Sequence, residues 1–358
     1  MRVAVALSGG VDSSVAAALL KEQGHEVIGL TMRLYDEAPE RSGERGCCGL
    51  KAIDDARRVA GRLQIPFYAL DLRREFERLV IDDFCAEYAR GRTPNPCISC
   101  NSRLKFHLLW EKARQLGAEK LATGHHARLT STENGGWQLR KGVDQHKDQS
   151  YFLYQLTQAQ MARTLLPVGE YTKEVVRAKA RMLGLGVADK PESQEVCFVP
   201  GDDYVAFLRK RRPELFRSGP VYDTRGNFLG EHSGIAALTI GQRKGLGIAL
   251  GERRYVVRLD VEHNAVVLGS EAEAYGRDVR ASQVAWVAGC APDRPFRAWA
   301  KVRHQSPGGE AWVEPLNDGR VRVVFDEPQW APTPGQAVVF WQGDVLIGGA
   351  VIESGPGE

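Results

Sequence analysis

The fold is decided by residues 2–20, Arg2-Val3-Ala4-Val5-Ala6-Leu7-Ser8-Gly9-Gly10-Val11-Asp12-Ser13-Ser14-Val15-Ala16-Ala17-Ala18-Leu19-Leu20. Residues 3–7 are a continuous apolar run, the pattern of a strand covered on both faces. Residues 13–23 carry apolar positions at helical spacing and stop at Gly24, a residue suited to the left-handed turn past a helix end. The heptad Ser8–Ser14 therefore joins a strand's carboxyl end to a helix's amino end. Open α/β sheets take their ligands there, because a helix start offers unpaired N–H groups and the positive end of a dipole. Two glycines allow phosphate oxygens to approach the backbone, and Ser8, Ser13 and Ser14 add hydroxyl donors. Asp12 is the one anion in the loop and needs a cation, which implies Mg²⁺. The heptad is neither a Gly-Lys-Ser/Thr phosphate loop nor a dinucleotide fingerprint. A plain Ser-capped glycine turn is the bland alternative, and the full heptad in this position speaks against it.

Outward from this unit, residues 27–32, 66–70 and 120–123 read as further strands, with helices over 52–63 and 106–115. Strand–helix alternation implies a parallel sheet with helices on both faces. Residues 159–212 turn mainly helical, interrupted by Gly184, Gly186 and Pro191. Beyond Gly219 the chain alternates in short segments (255–259, 265–268, 298–302, 321–325 and 337–341), and Asn317-Asp318-Gly319 is a hairpin-turn signal. The expected organisation is an α/β catalytic domain over 1–160, a helical segment over 161–212, a small β-rich linking domain over 213–275 and a C-terminal β-barrel over 276–358.

Bulk properties narrow the class. A chain of 358 residues, 43% hydrophobic and 26% charged, is ordinary for a core-forming protein of more than one domain. No apolar run approaches the roughly 18–20 residues that cross a membrane, and the first residues read as a strand rather than a signal peptide. The expected location is the cytoplasm. Seven cysteines, odd in number and unevenly scattered, do not suggest a secreted disulfide framework. A net charge of +3 does not by itself predict a polyanionic partner, and runs such as Arg209-Lys210-Arg211-Arg212 read singly as solvated faces.

The second informative stretch is Thr93-Pro94-Asn95-Pro96-Cys97-Ile98-Ser99-Cys100-Asn101. Two prolines stiffen it and a helix is expected to begin just after, where a thiolate is stabilised and becomes the better nucleophile. Another cysteine, Cys197, stands in the polar stretch Glu192-Ser193-Gln194-Glu195-Val196-Cys197-Phe198. Neither lies on an apolar stripe, where an inert core thiol is expected.

The heptad resembles the pyrophosphate-binding loop of the N-type ATP pyrophosphatases, which adenylate an oxygen. Taken in order with the Pro-Asn-Pro-x-x-x-Cys-Asn stretch, Lys147-Asp148-Gln149-Ser150-Tyr151-Phe152-Leu153, Ser193–Phe198 and Gly241-Gln242-Arg243-Lys244-Gly245-Leu246-Gly247-Ile248, the whole chain resembles the bacterial tRNA-specific 2-thiouridylases. That resemblance implies ATP-dependent 2-thiolation of the wobble uridine of a tRNA. The C2 oxygen is adenylated and sulfur comes from a cysteine persulfide.

It implies Cys100 as nucleophile and Cys197 as persulfide carrier, able to close a disulfide after transfer. ATP contacts fall on Ala6, Leu7, Ser8, Gly9, Gly10, Val11, Asp12 and Ser13, and on Met32 and Gly124. Asn95, Pro96 and Cys97 would face the target base, while His125, Lys147, Asp148, Gln149, Arg303, His304 and Gln336 would touch the tRNA. His125 reads equally well as a hydrogen-bonded structural residue, and no role is read for His126. The implied partners are the anticodon stem-loop of tRNA and a persulfide donor such as a cysteine desulfurase or sulfur-relay protein, with no membrane.

Some family members carry Asp where this chain has Cys97, and a thiol does not replace a carboxylate as acid or base. Cys97, Cys100 and Cys197 could instead supply three ligands to an iron–sulfur cluster. The adjacent Cys47-Cys48 pair is poorly spaced for zinc. Two other classes compete: an adenylating ligase that needs no thiols, and a sulfur-carrier or iron–sulfur protein that uses the sheet as scaffold.

Overall fold

Strand β1 (Arg2–Ala6) lies at the centre of a sheet, with Val3, Ala4 and Val5 fully buried. The computed structural model describes residues 1–35, 49–191, 196–248 and 252–356. Cys47-Cys48 and residues 192–195 lie outside the described residues. After β1 come α1 (Val11–Glu22), β2 (Glu26–Arg33), α2 (Leu50–Arg62) and β3 (Phe67–Asp71). A helical run follows as α3 (Arg73–Phe76), a wider-wound turn Glu77–Ile81, and α4 (Asp82–Ala89). Next come α5 (Pro96–Ser99), a wide stretch Cys100–Leu109, α6 (Trp110–Gln115) and β4 (Lys120–Ala122). The unit ends with the hairpin β5 (Ala127–Ser131) and β6 (Trp137–Lys141), then α7 (Gln158–Ala162), β7 (Thr164–Leu165) and α8 (Lys173–Met182).

The sheet runs β3-β2-β1-β4-β7 with every pairing parallel. Period-two alternation splits β1 between two cores. Ala4 faces Leu30, Met32, Phe76 and Phe84, whereas Val3 and Val5 face α1, α2 and α8. That is the expected layer on each face of a parallel sheet. The sequence reading missed β7, which at two residues is too short to show any period. It also missed the helices over 73–89 and the β5–β6 hairpin. The helix expected from residue 106 starts at Pro96, because Asn95 accepts a hydrogen bond from the Cys97 N–H at 3.2 Å and Pro96 suits the first helical position. Cys97 and Cys100 are consequently helical residues.

The chain continues through α9 (Tyr204–Arg211) into a four-stranded sheet of β8 (Gly219–Asp223), β9 (Phe228–His232), β10 (Tyr255–Asp260) and β11 (Ala265–Gly269), ordered β10-β11-β8-β9. Six strands follow: β12 (Tyr275–Trp286), β13 (Phe296–Lys301), β14 (Gly309–Pro315), β15 (Val321–Trp330), β16 (Ala337–Gln342) and β17 (Val345–Ile352). They run β12-β15-β14-β13-β16-β17, and a β12–β17 pairing closes the barrel. Its interior is filled by Val279, Ala300, Val313, Val323 and Phe340. The Asn-Asp-Gly turn forms as read, with Gly319 at φ +79° and the Leu316 N–H on Arg320 O. Strand β6 pairs with β17 through Arg140 and Val345, so the α/β unit's hairpin extends the barrel sheet. Among the described residues, no helix is long and apolar enough to cross a membrane.

Candidate active site

Loop 8–14 is shaped by two absent side chains. Gly9 sits at φ +68°, and a Cβ there would stand 2.3 Å from the Ala52 carbonyl oxygen. A Cβ on Gly124, just past β4, would stand 2.4 Å from the Ser13 nitrogen. Residues 9 and 124 thus let α2 and the β4 end close down on the loop. Gly10 caps α1 without a side-chain bond, and the first N–H groups of α1 lack intrahelical acceptors. The hydroxyls depart from expectation. Ser13 and Ser14 are buried and both donate to Gly10 O, at 3.2 and 2.8 Å, so they brace the turn instead of facing a ligand. Ser8 is half-buried and bonds Ser13 through its backbone N–H and its hydroxyl, both at 3.1 Å. Of the other expected nucleotide contacts, Ala6 and Gly10 are half-buried, while Leu7, Val11 and Met32 are closed into the cores.

Asp12 meets a cation, but that cation is protein. The buried Lys173, first residue of α8, donates to both Asp12 carboxylate oxygens at 2.8 and 2.7 Å. The His126 Nε2 lies 3.1 Å from Asp12 Oδ1. Burial pushes the Asp12 carboxyl up, and the His126 hydrogen bond and Lys173 charge outweigh it and hold it below the ordinary range. Asp12 therefore needs no Mg²⁺ to neutralise it, contrary to the reading from sequence, because Lys173 already supplies the cation. A second lysine, Lys190, donates to Gly9 O at 3.0 Å and Asp55 Oδ2 at 2.6 Å. Sequence reasoning missed Lys173, Lys190 and His126. A basic residue opening an amphipathic helix looks like any solvated lysine, and the second of two adjacent histidines carries no pattern.

His125 lies beside them. Its Nδ1 is 2.8 Å from Thr123 Oγ1 and its ring is tilted against Phe106. Burial, with Lys105 nearby, pushes its pKa well below the ordinary value, so it is a neutral imidazole.

Helix α4 touches the chain next to each of two thiols. Ser99 donates to Asp83 at 3.4 Å, which ties the residue before Cys100 to α4. The residue after Cys197 is Phe198, whose ring packs edge-on against Phe84 at 5.2 Å and Phe76 at 5.6 Å, with Phe207 at 5.3 Å. Asp83 and Phe84 are neighbours, so the residue before Cys100 and the residue after Cys197 both touch α4. Cys100 and Cys197 are half-buried and pack against the same core. Cys97 is exposed beside a buried Pro96. Cys85 differs in kind: it is buried, and burial raises its thiol pKa, which makes it a packing residue.

The barrel reaches this site. Gln336 donates to Thr93 O at 2.8 Å and Pro94 O at 3.4 Å, and the Thr93 N–H donates to Pro334 O at 2.8 Å. His304 stacks on Phe152 at 4.4 Å, and Phe152 O accepts from Asn101, the residue after Cys100, at 3.2 Å. Arg303 donates within the barrel to Ala331 O and Thr333 Oγ1. Asp148 accepts from Gly142 and Ser150, and the Gln149 amide oxygen accepts from the His126 N–H at 2.9 Å. The side chains of Gln336, Arg303, Asp148 and Gln149 therefore make internal bonds, and half-buried Lys147 flanks them. The 241–248 motif supplies Arg243, Gly245, Leu246, Gly247 and Ile248 to an open pocket of about 440 Å³ that contains none of these groups.

Among the described residues, no three His, Cys, Asp or Glu side chains are gathered to hold a metal ion. The iron–sulfur ligand set read from Cys97, Cys100 and Cys197 is not among such groups. Cys97 is exposed, while Cys100 and Cys197 are half-buried and pack against one core.

Comparison with known proteins bears on this geometry. Residues 1–201 match the family model described as a tRNA methyl transferase HUP domain. Residues 205–270 match a tRNA methyl transferase PRC-barrel domain, and 276–352 an aminomethyltransferase beta-barrel domain. A protein of Moorella thermoacetica named tRNA-specific 2-thiouridylase MnmA is 53% identical over 352 residues, covering 98% of this chain and 99% of that one. Proteins of the same name from Pelotomaculum thermopropionicum (52% over 356 residues, 99% and 97% covered) and Acetivibrio thermocellus (50% over 355 residues, 98% and 99% covered) are similarly alike.

Proposed function

Because this chain belongs to the tRNA-specific 2-thiouridylase family, we propose that it uses ATP to replace the C2 oxygen of a tRNA wobble uridine with sulfur carried on Cys197. The observation that supports this most directly is that Cys100 and Cys197 pack against one core, with their neighbours Ser99 and Phe198 both on α4, in the same unit whose first strand ends in the glycine loop. An adenylating ligase has no use for such a thiol pair.

ATP enters as its magnesium complex, with its phosphates against the N–H groups at the start of α1. The uridine, splayed from its anticodon loop as single-stranded bases can be, presents O2 to the α-phosphorus. The P–O bond forms, pyrophosphate leaves, and C2 becomes electrophilic. The terminal sulfur of a Cys197 persulfide attacks C2, and AMP departs with the former O2. The Cys100 thiolate then attacks the Cys197 sulfur, forming a Cys100–Cys197 disulfide and releasing 2-thiouridine. An external dithiol reduces the disulfide, and a sulfur-donating protein reloads Cys197. Gln336, on the carbonyls of Thr93 and Pro94, steadies the approach to Asn95, Pro96 and Cys97, which face the base. Arg303, His304, Asp148 and Gln149 act on the tRNA by holding this surface in shape.

The test is nucleoside mass spectrometry on unmodified tRNA incubated with magnesium ATP, a persulfide donor and the protein. The expected product is 2-thiouridine at the wobble position, with AMP and pyrophosphate formed in step. Cys197→Ser should take thiolation to background. A methylated nucleoside, or undiminished thiolation by that variant, would overturn the proposal.

A further inference from the structure

Cys97-Ile98-Ser99-Cys100 is a Cys-x-x-Cys sequence, a spacing that outside metal sites serves thiol–disulfide exchange. Here it opens a helix. Asn95 caps the turn by accepting from the Cys97 N–H at 3.2 Å, and Pro96 takes the first helical position. The turn is tightly wound: the Ile98 N–H donates to Asn95 O at 3.2 Å, and the Cys100 N–H donates to Cys97 O as well as Pro96 O. In three-residue winding, side chains at i and i+3 lie one above the other. One such turn separates Cα atoms by roughly 5–6 Å, inside the range of about 4.4–6.8 Å that a disulfide spans. Cys97 and Cys100 can therefore be joined by closing one turn, with no second element moved. Their surroundings differ. Cys97 is exposed, whereas Cys100 and Cys197 are half-buried against one core. A disulfide between the two half-buried thiols, the end state of sulfur transfer, offers a protein reductant little access, and exchange rates depend on access to the sulfur attacked.

We propose that Cys97 is a further catalytic thiol, the internal resolving residue that regenerates Cys197; this rests on the thiolation reading above. The Cys97 thiolate attacks Cys100 Sγ of the Cys100–Cys197 disulfide. The Cys97–Cys100 bond forms as the Cys100–Cys197 bond breaks, and the electron pair leaves on Cys197 as its thiolate, ready for reloading. A protein dithiol then reduces the Cys97–Cys100 disulfide from its exposed side. It gives up two electrons and becomes a disulfide itself, and both cysteines return to thiols.

Anaerobic turnover of the full chain on unmodified tRNA, with magnesium ATP, a persulfide donor and limiting reduced thioredoxin as the protein dithiol, tests it. Samples are quenched with N-ethylmaleimide and their cysteine pairs mapped by peptide mass spectrometry. The expected result is a Cys97–Cys100 disulfide that builds up only when tRNA is present, with Cys197 alkylated or persulfidated. Cys97→Ser should instead accumulate the Cys100–Cys197 disulfide. Its steady-state rate with thioredoxin should fall by about tenfold or more, because an encounter with an external thiol replaces an intramolecular attack. Dithiothreitol, small enough to reach the half-buried bond, should restore that rate. Absence of the Cys97–Cys100 link in the unaltered protein, or its formation equally without tRNA, overturns the proposal. So does a variant whose rate is unchanged, or whose loss dithiothreitol does not repair, the mark of a merely structural role. Iron and acid-labile sulfide held by the unaltered protein and lost from Cys97→Ser would make Cys97 a cluster ligand and overturn it too. Should the variant fail to fold, the cysteine map of the unaltered protein decides. If that protein forms no 2-thiouridine, the thiolation reading itself fails and the relay falls with it.

Discussion

Loop 8–14 and the thiol pair, the two halves of the proposed site, are held by opposite means. The side chains of the loop are held internally: its inner serines bond its own backbone, Asp12 has two partners, and Gly9 and Gly124 leave no room for a methyl group. The thiols are held at second hand, through Phe198 on α4, Ser99 on Asp83 and Gln336 on the 93–94 carbonyls. The contrast follows from chemistry. Binding phosphate needs preformed donors, whereas a sulfur carrier must accept sulfur from one partner and deliver it to another, which needs surfaces that can part.

If that contrast is right, damage to the thiol half should spare adenylation. Phe198→Ala removes a buried ring with three aromatic neighbours and should cost about 3–5 kcal/mol. Denaturant unfolding should record that loss. Where the variant is still folded, tRNA-dependent pyrophosphate release should continue while 2-thiouridine formation collapses. Equal loss of both would mean that the two halves are one mechanical unit.

The converse break is Gly9→Ala, which puts a side chain at φ +68° and 2.3 Å from Ala52 O. Displacing a positioned reactant by about 1 Å costs on the order of a hundredfold. Pyrophosphate release should fall by that factor, while Cys197 still accepts sulfur from a persulfide donor. Persulfide loading is read by mass spectrometry of the intact chain.

Gln336→Ala is a finer probe. Losing one hydrogen bond costs about 1 kcal/mol, so the KM for tRNA should rise several-fold with pyrophosphate affinity unchanged.

The smallest effect is in pH. Burial lowers the His304 pKa from its ordinary 6.5. The unfolded chain therefore takes up the proton first as pH falls. The stability from a neutral, packed His304 is complete above pH 6.5 and declines below it until the folded pKa is passed. Asp12 is depressed from 3.8, so its contribution persists above that value and is lost only as pH falls through the folded pKa. Hydrogen exchange should report the His304–Phe152 contact loosening below about pH 6.5 with the Asp12–Lys173 pairing intact. Simultaneous loosening would contradict the two-part picture.

Much of the fold was legible because it is written in local pattern. The buried run at 3–7, the glycine at the helix end and the Asn-Asp-Gly turn each decide a few neighbouring dihedral angles. The missed elements lacked such pattern: β7 has two residues, and α3–α4 mixes charge and apolar groups without a clear stripe. Within the site, Gly9, Asp12, Cys100 and Cys197 stood out by type and spacing. Ser13 and Ser14 were read as donors to a ligand, and their hydroxyls here bond Gly10 O, because a serine at a helix start serves a ligand or its own backbone equally well. Gln336 and His304 emerged from resemblance alone, and their contacts with Thr93 and Phe152 belong to the closed barrel.

The amino-acid order by itself determined a glycine turn between strand and helix, thiols outside apolar stripes, and the succession from α/β layers to a barrel. These depend on the steric demands of a residue and its near neighbours. Only the tertiary structure decided that Lys173 faces Asp12, that Phe198 beside Cys197 and Ser99 beside Cys100 meet on one helix, and that a barrel loop clasps Thr93 and Pro94. Such contacts join residues more than a hundred positions apart or on separate elements. Their existence depends on whether burying the surfaces between them outweighs the entropy of closing the intervening chain, a balance set by the whole fold.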